Sequence, residues 1–148
     1  MRLSRRSLYA LRVLPYLVKA YPDSPLSVNS LSKMEMVPRK YLEQILTRLR
    51  KHDLLISERG REGGYKLSRA PEEISLGDII RAVEGKLVPI SCVHPSCPHS
   101  VESCWVDSLM VHVQDEISEV LDRRNLLDIS ATSIGCGPDV PNVEVSAY

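Results

Sequence analysis

Residues 27–51 read SVNSLSKMEMVPRKYLEQILTRLRK, and this stretch decides the fold. Ser27 is a typical helix N-cap, and the apolar residues that follow it at helical spacing predict a short helix. After a tight turn, Pro38 is well placed in the first turn of a second helix, which we expect to continue to about residue 51. Two short helices joined by a tight turn are typical of a helix-turn-helix.

The second of these helices has an apolar side and a basic, polar side. Its predicted inner stripe consists of Leu42, Ile45, Leu46 and Leu49. In this motif the amino-terminal part of the second helix meets base edges in the major groove. Our candidates for base contacts are therefore the residues on the other side: Arg39, Lys40, Glu43, Gln44 and Thr47. The residues better placed for a phosphate contact are Arg48, Arg50 and Lys51. The alternative is an ordinary amphipathic helix with a solvated face.

A β-hairpin is expected after the helix-turn-helix. Residues 54–58 and 65–67 are short strand-forming stretches around the glycine-rich basic turn Arg59-Gly60-Arg61-Glu62-Gly63-Gly64. A hairpin in this place is a wing. Arg59 and Arg61 are its predicted DNA contacts, because glycine lets the backbone approach a phosphate and arginine favours the negative potential of a narrow groove. The alternative is a simple hairpin turn.

Further helices are expected on both sides of this motif. One covers about residues 4–20, where Pro15 predicts a kink or a local break. Another covers about residues 76–84, capped by Ser75 and ended by Gly85. A long helix follows over about residues 105–124, with an apolar face that little remaining chain can cover. We expect this face to pack against its twin in a homodimer, the alternative being its own winged helix.

The sequence therefore predicts a mainly α fold with a small β-hairpin wing. We divide it into a winged helix-turn-helix DNA-binding domain (1–85), a cysteine-containing loop (86–104), a long dimerisation helix (105–127) and a flexible tail (128–148).

Charge is distributed unevenly along the 148 residues, although the net charge is zero. Residues 1–69 contain 15 Lys and Arg against 6 Asp and Glu, whereas residues 70–148 contain 4 against 13. A half with a net charge of +9 indicates a polyanionic partner, here double-stranded DNA, with chance sorting of charge as the alternative. No run approaches the ~20 apolar residues of a membrane span, and no signal peptide is seen. We therefore expect a cytoplasmic protein without a membrane partner.

Three of the four cysteines lie in one loop, Cys92-Val-His-Pro-Ser-Cys97-Pro-His-Ser-Val-Glu-Ser-Cys104. In a reducing cytoplasm, clustered cysteines are more often metal ligands or redox groups than disulfides. Metal ligation explains them most simply, because thiolates bind soft metals and a bound metal orders a loop with little to bury. Structural zinc and a thiol switch stay open. An enzyme is not expected, since no nucleophile–base set, phosphate loop or paired carboxylates are present.

Several runs resemble the Rrf2 family in order and spacing: Met1-Arg2-Leu3-Ser4, Tyr41 to Leu46 with Leu49, Arg59-Gly60, Gly63 to Leu67, and Ile74 to Gly85. The resemblance covers about residues 1–125. It implies a dimeric winged-helix regulator, usually a repressor, that binds a palindromic operator. Many members carry an iron–sulfur cluster on three cysteines in the place that Cys92, Cys97 and Cys104 occupy. The resemblance thus implies a sensor of redox, iron or nitric oxide status. The nuclearity of the cluster is left open, with 2Fe–2S slightly favoured over 4Fe–4S. An adaptor that binds protein through its winged helix is the alternative from another class.

The fourth ligand departs from the family's pattern. The cysteines are separated by four and six residues, each interval one residue away from the common spacing. Some members have a histidine three residues after the last cysteine, where this chain has Asp107; others use an acid near position 8, where it has Leu8. The leading candidate is therefore Asp107, followed by His94, His99 and Cys136. The alternative for Asp107 is a first-turn acid favoured by the helix dipole.

Overall fold

The computed structural model describes residues 3–60, 63–85 and 105–132. Within these ranges lie the helices α1 Arg5–Ala20, α2 Val28–Glu35, α3 Arg39–Lys51, α4 Leu76–Glu84, α5 Trp105–Asp122 and α6 Leu126–Thr132. Strands β1 Leu55–Glu58 and β2 Gly64–Leu67 pair antiparallel, and a 3-10 turn covers Pro71–Glu73. The predicted fold class, mainly α with a hairpin wing, is confirmed.

The helix-turn-helix is made by short-range hydrogen bonds. Ser27 caps α2 as expected, its hydroxyl accepting a hydrogen bond from the backbone N–H of Ser30 at 3.1 Å. Met36 ends α2 in the left-handed conformation, with a φ of 50°. The hydroxyl of Ser32 then donates to the carbonyl of Val37 at 2.6 Å and holds the turn closed. Pro38 is the N-cap residue of α3 rather than its first helical residue.

Helix α1 is continuous from Arg5 to Ala20, so the predicted local break at Pro15 is absent. Proline in a helix interior removes one hydrogen bond and costs about 3 kcal/mol. Pro15 is itself buried, next to Leu14 and Leu17, which are each only 1% exposed. Apolar packing of this face against the core offsets the cost and keeps the helix intact.

The core is aliphatic, as a chain without phenylalanine requires. All four residues of the predicted inner stripe of α3 are at most 1% exposed: Leu42, Ile45, Leu46 and Leu49. Helices α1, α2 and α4 and strand β1 pack against this stripe. The opposite side of α3 is thereby turned to solvent.

The long helix is shorter than expected and is followed by another. It ends at Asp122, and residues Leu126–Thr132 form α6. Leu126 is fully buried, and its backbone N–H donates to the carbonyl of Ile74 at 2.8 Å. Residues 128–132 were expected to belong to a flexible tail, but they continue this helix, which packs on α1. The rest of that segment lies outside the described residues.

Candidate nucleic-acid interface

The outer side of α3 forms an open, solvent-facing groove, which we call the recognition face. Its lining residues are Lys40, Glu43, Gln44, Thr47, Arg48 and Lys51. Arg39 is exposed at the start of the same helix. The structure therefore brings together on one surface the residues of α3 that were predicted to contact DNA, except Arg50, which bonds Ser57 instead.

The recognition face carries more positive than negative charge. Its single acid, Glu43, is paired with Arg39 at 3.0 Å between Oε1 and Nε, one helical turn apart. Both side chains are largely exposed, so the pair stabilises the helix by only about 0.3–0.5 kcal/mol. Lys40, Arg48 and Lys51 outweigh this acid, which makes the surface suitable for a phosphate backbone.

Arg48 has a role that its sequence position did not suggest. Its Nη1 donates a hydrogen bond to the carbonyl of Val83, in the last turn of α4, at 3.0 Å. A guanidinium carries five N–H groups, so this bond leaves others for a second partner. The predicted phosphate contact of Arg48 stays a prediction, but the residue also connects the recognition face to α4.

The wing is a short hairpin in which Leu55 faces Leu67 and Glu58 faces Gly64. Arg59 follows β1 and is exposed, and Gly60 has a φ of 127°, a conformation open to glycine. Lys66 forms an ion pair with Glu58 across the hairpin. Arg61 and Glu62 lie outside the described residues, so the DNA contact expected of Arg61 stays a prediction.

Gly63 and Gly64, where the wing enters β2, have no room for a side chain. A Cβ on Gly64 would overlap the backbone of Leu26, and one on Gly63 would overlap the carbonyl of Glu58. Leu26 and Tyr65 exchange two backbone hydrogen bonds of 2.9 Å each. This bridge attaches the wing to the segment between α1 and α2, which fixes the wing relative to α3.

Helix α5 leaves apolar side chains in solvent. The most exposed are Trp105, at 76%, and Val120, at 61%, with Leu109 and Val111 close to half exposed. The winged helix of the same chain therefore does not cover all the apolar surface of α5. No helix in the described ranges is long and apolar enough to cross a bilayer.

Comparison with known proteins identifies the family. The family profile named Rrf2, iron-dependent transcriptional regulator, matches residues 3–132. The chain belongs to the Rrf2 family. The transcriptional regulator CymR of Bacillus subtilis is 33% identical over 135 residues, which are 91% of this chain and 94% of CymR. The structure of that protein, described as the global cysteine regulator, matches with a TM-score of 0.72 over 90% of this chain and 98% of its own.

Two other solved Rrf2-type regulators have the same fold. IscR of T. potens is 31% identical, with a TM-score of 0.67 over 93% of this chain and 94% of IscR. The oxidised form of Staphylococcus aureus CymR is 32% identical, with a TM-score of 0.66 over 88% and 96%. The predicted family is confirmed, and the chain is a winged-helix transcriptional regulator of a family whose compared members are regulators, not enzymes.

A buried acid positions the helix-turn-helix of this Rrf2 protein on α1. Only 8% of the side chain of Glu35, at the end of α2, is exposed. Its carboxylate accepts from Arg12 Nε at 2.6 Å and from the Tyr16 hydroxyl at 2.9 Å. Charge-assisted hydrogen bonds of this kind are about twice as strong as neutral ones. Sequence reasoning missed this cluster; the available signal was Glu35 as the single acid in helices α1 and α2.

A second ion pair attaches α5 to the winged helix. The guanidinium of Arg81, in α4, bonds both carboxylate oxygens of Asp122, at 2.6 and 3.1 Å. Ser75 also donates its hydroxyl to Asp122 at 3.0 Å. The Arg81 hydrogen bond lowers the pKa of Asp122, against the partial burial that would raise it. The end of α5 is thus held at the amino-terminal turn of α4.

The predicted metal ligands are mostly beyond what the structure describes. Cys92, Cys97, Cys104, His94, His99 and Cys136 all lie outside the described residues. Asp107 falls in the first turn of α5, as expected for a residue three positions after Cys104. Within residues 3–60, 63–85 and 105–132, no three His, Cys, Asp or Glu side chains are grouped to hold a metal. The ligand set stays a prediction.

Proposed function

We propose that this protein is a homodimeric repressor that binds a palindromic operator in double-stranded DNA. The observation that carries the proposal is the recognition face, where basic and amide side chains converge on the solvent side of α3. Arg39, Lys40, Glu43, Gln44 and Thr47 would meet base edges in the major groove, which admits an α-helix. Arg59 and Arg61 would contact phosphate or minor groove from the wing.

The homodimer is supported by the apolar side chains that α5 leaves exposed. A second copy packed on this helix would remove them from water, at about 25 cal/mol per Å² of apolar surface. Two recognition faces related by a twofold axis match the two half-sites of a palindromic site. Replacing Val120 by Lys should produce monomers in analytical ultracentrifugation. The same substitution at exposed Ala131, on α6, is the matched control and should leave the dimer intact.

Selection from random DNA duplexes, followed by mobility-shift titration at several salt concentrations, tests the DNA proposal. Gln44→Ala should cost ~1–3 kcal/mol at particular base pairs and relax specificity there. Arg59→Ala should weaken binding to all sequences and reduce the salt slope by about one. Arg123→Ala, directly after the end of α5, is the control and should change neither. Negligible DNA affinity at low salt would favour the protein-binding adaptor.

We further propose that Cys92, Cys97 and Cys104 hold an iron–sulfur cluster, with Asp107 as the fourth ligand. Three thiolates and a carboxylate form a donor set that iron accepts, and the family profile carries the description iron-dependent. When bound, such a cluster supplies a redox-, iron- or nitric-oxide-sensitive cross-link between residues 92 and 107. The chain connects that segment to α4 on one side and to α5 on the other. The positions of these two helices would determine the orientation of the recognition face.

A thiol switch without iron is the second candidate. It is favoured by the similarity to CymR, which has been solved in an oxidised form from S. aureus. In that case, oxidation of the same cysteines would alter DNA binding without any metal. Structural zinc would use the same thiolates but give a colourless protein.

Anaerobic purification with an absorption spectrum and with iron, sulfide and zinc assays separates these candidates. An iron–sulfur protein should be brown, and Cys92→Ala, Cys97→Ala and Cys104→Ala should each bleach it. Cys136→Ala, the control, should keep the colour. Asp107→Ala should give a folded dimer with a lost or altered cluster, whereas Asp107→Cys should hold it more firmly. Colourless protein with stoichiometric zinc, or metal-free protein whose DNA binding responds reversibly to oxidant and dithiothreitol, would refute the iron proposal.

A further inference from the structure

The carboxyl-terminal turn of α4 is bonded to two other helices at once. The carbonyl of Val83 accepts a hydrogen bond from Arg48 of α3. The next residue, Glu84, accepts at its Oε1 from the backbone N–H of Ser4 at 2.9 Å and from the hydroxyl of Ser7 at 2.6 Å. We call Val83 and Glu84 the α4 terminus. It is the place where α1, α3 and α4 are joined by polar contacts.

Glu84 fixes the α4 terminus against α1. Ser4 is the N-cap of α1, so the carboxylate lies at the positive end of the α1 dipole. Ser7 is completely buried, and its hydroxyl has Glu84 as its acceptor. Partial burial alone would raise the pKa of Glu84, but the hydrogen bonds from Ser4 and Ser7 lower it on balance. The side chain is therefore held as a carboxylate in one place.

Arg48 connects the α4 terminus to the recognition face. Val83 is completely buried and packs in the core, so its carbonyl is a rigid acceptor. A helix end leaves carbonyl groups without an intrahelical partner, and Arg48 satisfies one of them. Because Arg48 also lines the recognition face, one side chain contacts both α4 and the surface proposed to meet DNA.

We infer that Arg48 is a positioning residue for DNA recognition and that Glu84 supports DNA affinity through it. The inference rests on the proposed DNA-binding function. With Glu84 in place, the α4 terminus holds Arg48 and fixes the orientation of α3. When Glu84 loses its contacts to α1, the α4 terminus relaxes and Arg48 loses its fixed acceptor. Any signal that displaces the α4 terminus would act on DNA binding by the same route.

A pair of variants at Glu84 separates positioning from charge. Glu84→Ala and Glu84→Gln each remove one negative charge, which by electrostatics alone should strengthen DNA binding equally. Glutamine keeps an oxygen that can accept from Ser4 and Ser7, whereas alanine does not. We expect Glu84→Ala to weaken operator binding about two- to thirtyfold, and Glu84→Gln to retain most of the affinity. Equal effects of the two variants, in either direction, would overturn the inference.

A double-mutant cycle tests whether Glu84 acts through Arg48. Operator affinity is measured for wild type, Arg48→Ala, Glu84→Ala and the double variant. If the effect passes through Arg48, Glu84→Ala should have no further effect, within about twofold, once Arg48 is removed. Arg50 is the matched control, an arginine on the same helix that bonds Ser57 instead, at 3.2 Å. The cycle of Arg50→Ala with Glu84→Ala should be additive.

Folding and basal function are controlled separately. Circular dichroism melting confirms that each variant is folded at the assay temperature. Should Glu84→Ala fail to fold, Ser7→Ala, which removes one bond and no charge, replaces it in the same cycle. A wild-type protein that binds no operator would refute the proposed function. A wild-type protein that binds its operator but gives an additive cycle with Arg48 would overturn the positioning inference alone.

Discussion

The turn of the helix-turn-helix contains a backbone conformation that its residue type does not favour. Met36 has a φ of 50°, in the left-handed region, and its side chain is 90% exposed. For a residue with a Cβ, this conformation costs roughly 1–2 kcal/mol, whereas glycine adopts it freely. Because the exposed side chain buries almost nothing, Met36→Gly removes the cost without removing packing. We predict that this substitution stabilises the protein.

The expected gain follows from two opposing effects. Relief of the left-handed conformation contributes about 1–2 kcal/mol. The more flexible unfolded chain that glycine creates takes back about 0.4–1 kcal/mol. The net stabilisation is about 0.5–1 kcal/mol, which for a chain of this length raises Tm by roughly 1–4 °C.

Met34 provides a control of the same residue type two positions away. It lies in the last turn of α2 with 51% of its surface exposed, in helical conformation. Met34→Gly should destabilise the protein by about 0.5–1 kcal/mol, because glycine is a poor helix former. Melting curves of both variants and wild type, at one protein concentration and without DNA, check the opposite signs. A Met36→Gly variant with a lowered Tm, or both variants shifted in the same direction, would refute the reasoning.

Three further predictions concern the polar clusters. Glu35→Ala should lower the free energy of unfolding by about 1–3 kcal/mol in denaturant titrations, since it removes the acceptor of two hydrogen bonds, one of them charge-assisted, while Tyr16→Phe should cost only about 0.5–1.5 kcal/mol. Because the pKa of Asp122 is lowered in the folded state, its contribution is present above about pH 4 and lost as the pH falls further. Asp122→Asn should therefore lower Tm more at pH 7 than at pH 3; equal losses at both would contradict the assignment. Gly77→Ala should displace the carboxylate of Asp122 and lower Tm in wild type, but much less in Asp122→Ala, where no carboxylate opposes the new Cβ.

The winged helix-turn-helix was predictable because its signals are local. Ser27 and Ser75 each cap the helix that follows them, through hydrogen bonds to residues three positions on. The inner stripe of α3 repeats at helical spacing and is buried as expected. Helix caps and hydrophobic periodicity depend on neighbours within a few positions, so they can be recognised without knowing the fold.

Helix α6 had a signal that was not used. The Asn125 side chain accepts from the backbone N–H of Asp128 at 2.9 Å, and Asp128 accepts from that of Asn125 at 3.2 Å. This reciprocal pair is a capping arrangement at the start of a helix. The chain after it is rich in Gly, Pro and Ser, and this composition predicts a flexible tail rather than a helix. Burial of Leu126, which places α6 on α1, depends on the tertiary fold and has no local pattern.

The polar contacts between helices were out of reach of sequence reasoning for a physical reason. Arg48 and Val83 are 35 positions apart, and Ser7 and Glu84 are 77 apart. The sequence around an arginine on a basic helix face is the same whether its side chain contacts DNA phosphate or donates to a carbonyl of another helix. Only the packing of α4 against α1 and α3 distinguishes the two.

These contacts join α4 to both α3 and α5. The N-cap residue of α4, Ser75, and its Arg81 are both bonded to Asp122 at the end of α5. The carbonyl of Val83 in the last turn of α4 is bonded to Arg48 of α3. The segment 86–104, which contains the three clustered cysteines, follows in the sequence directly after Gly85 at the end of this turn. Oxidation of those cysteines, or loss of a metal bound to them, would therefore act close in sequence to the Val83 carbonyl that accepts from Arg48. If the proposed sensing function holds, α4 is the element through which it should reach the recognition face.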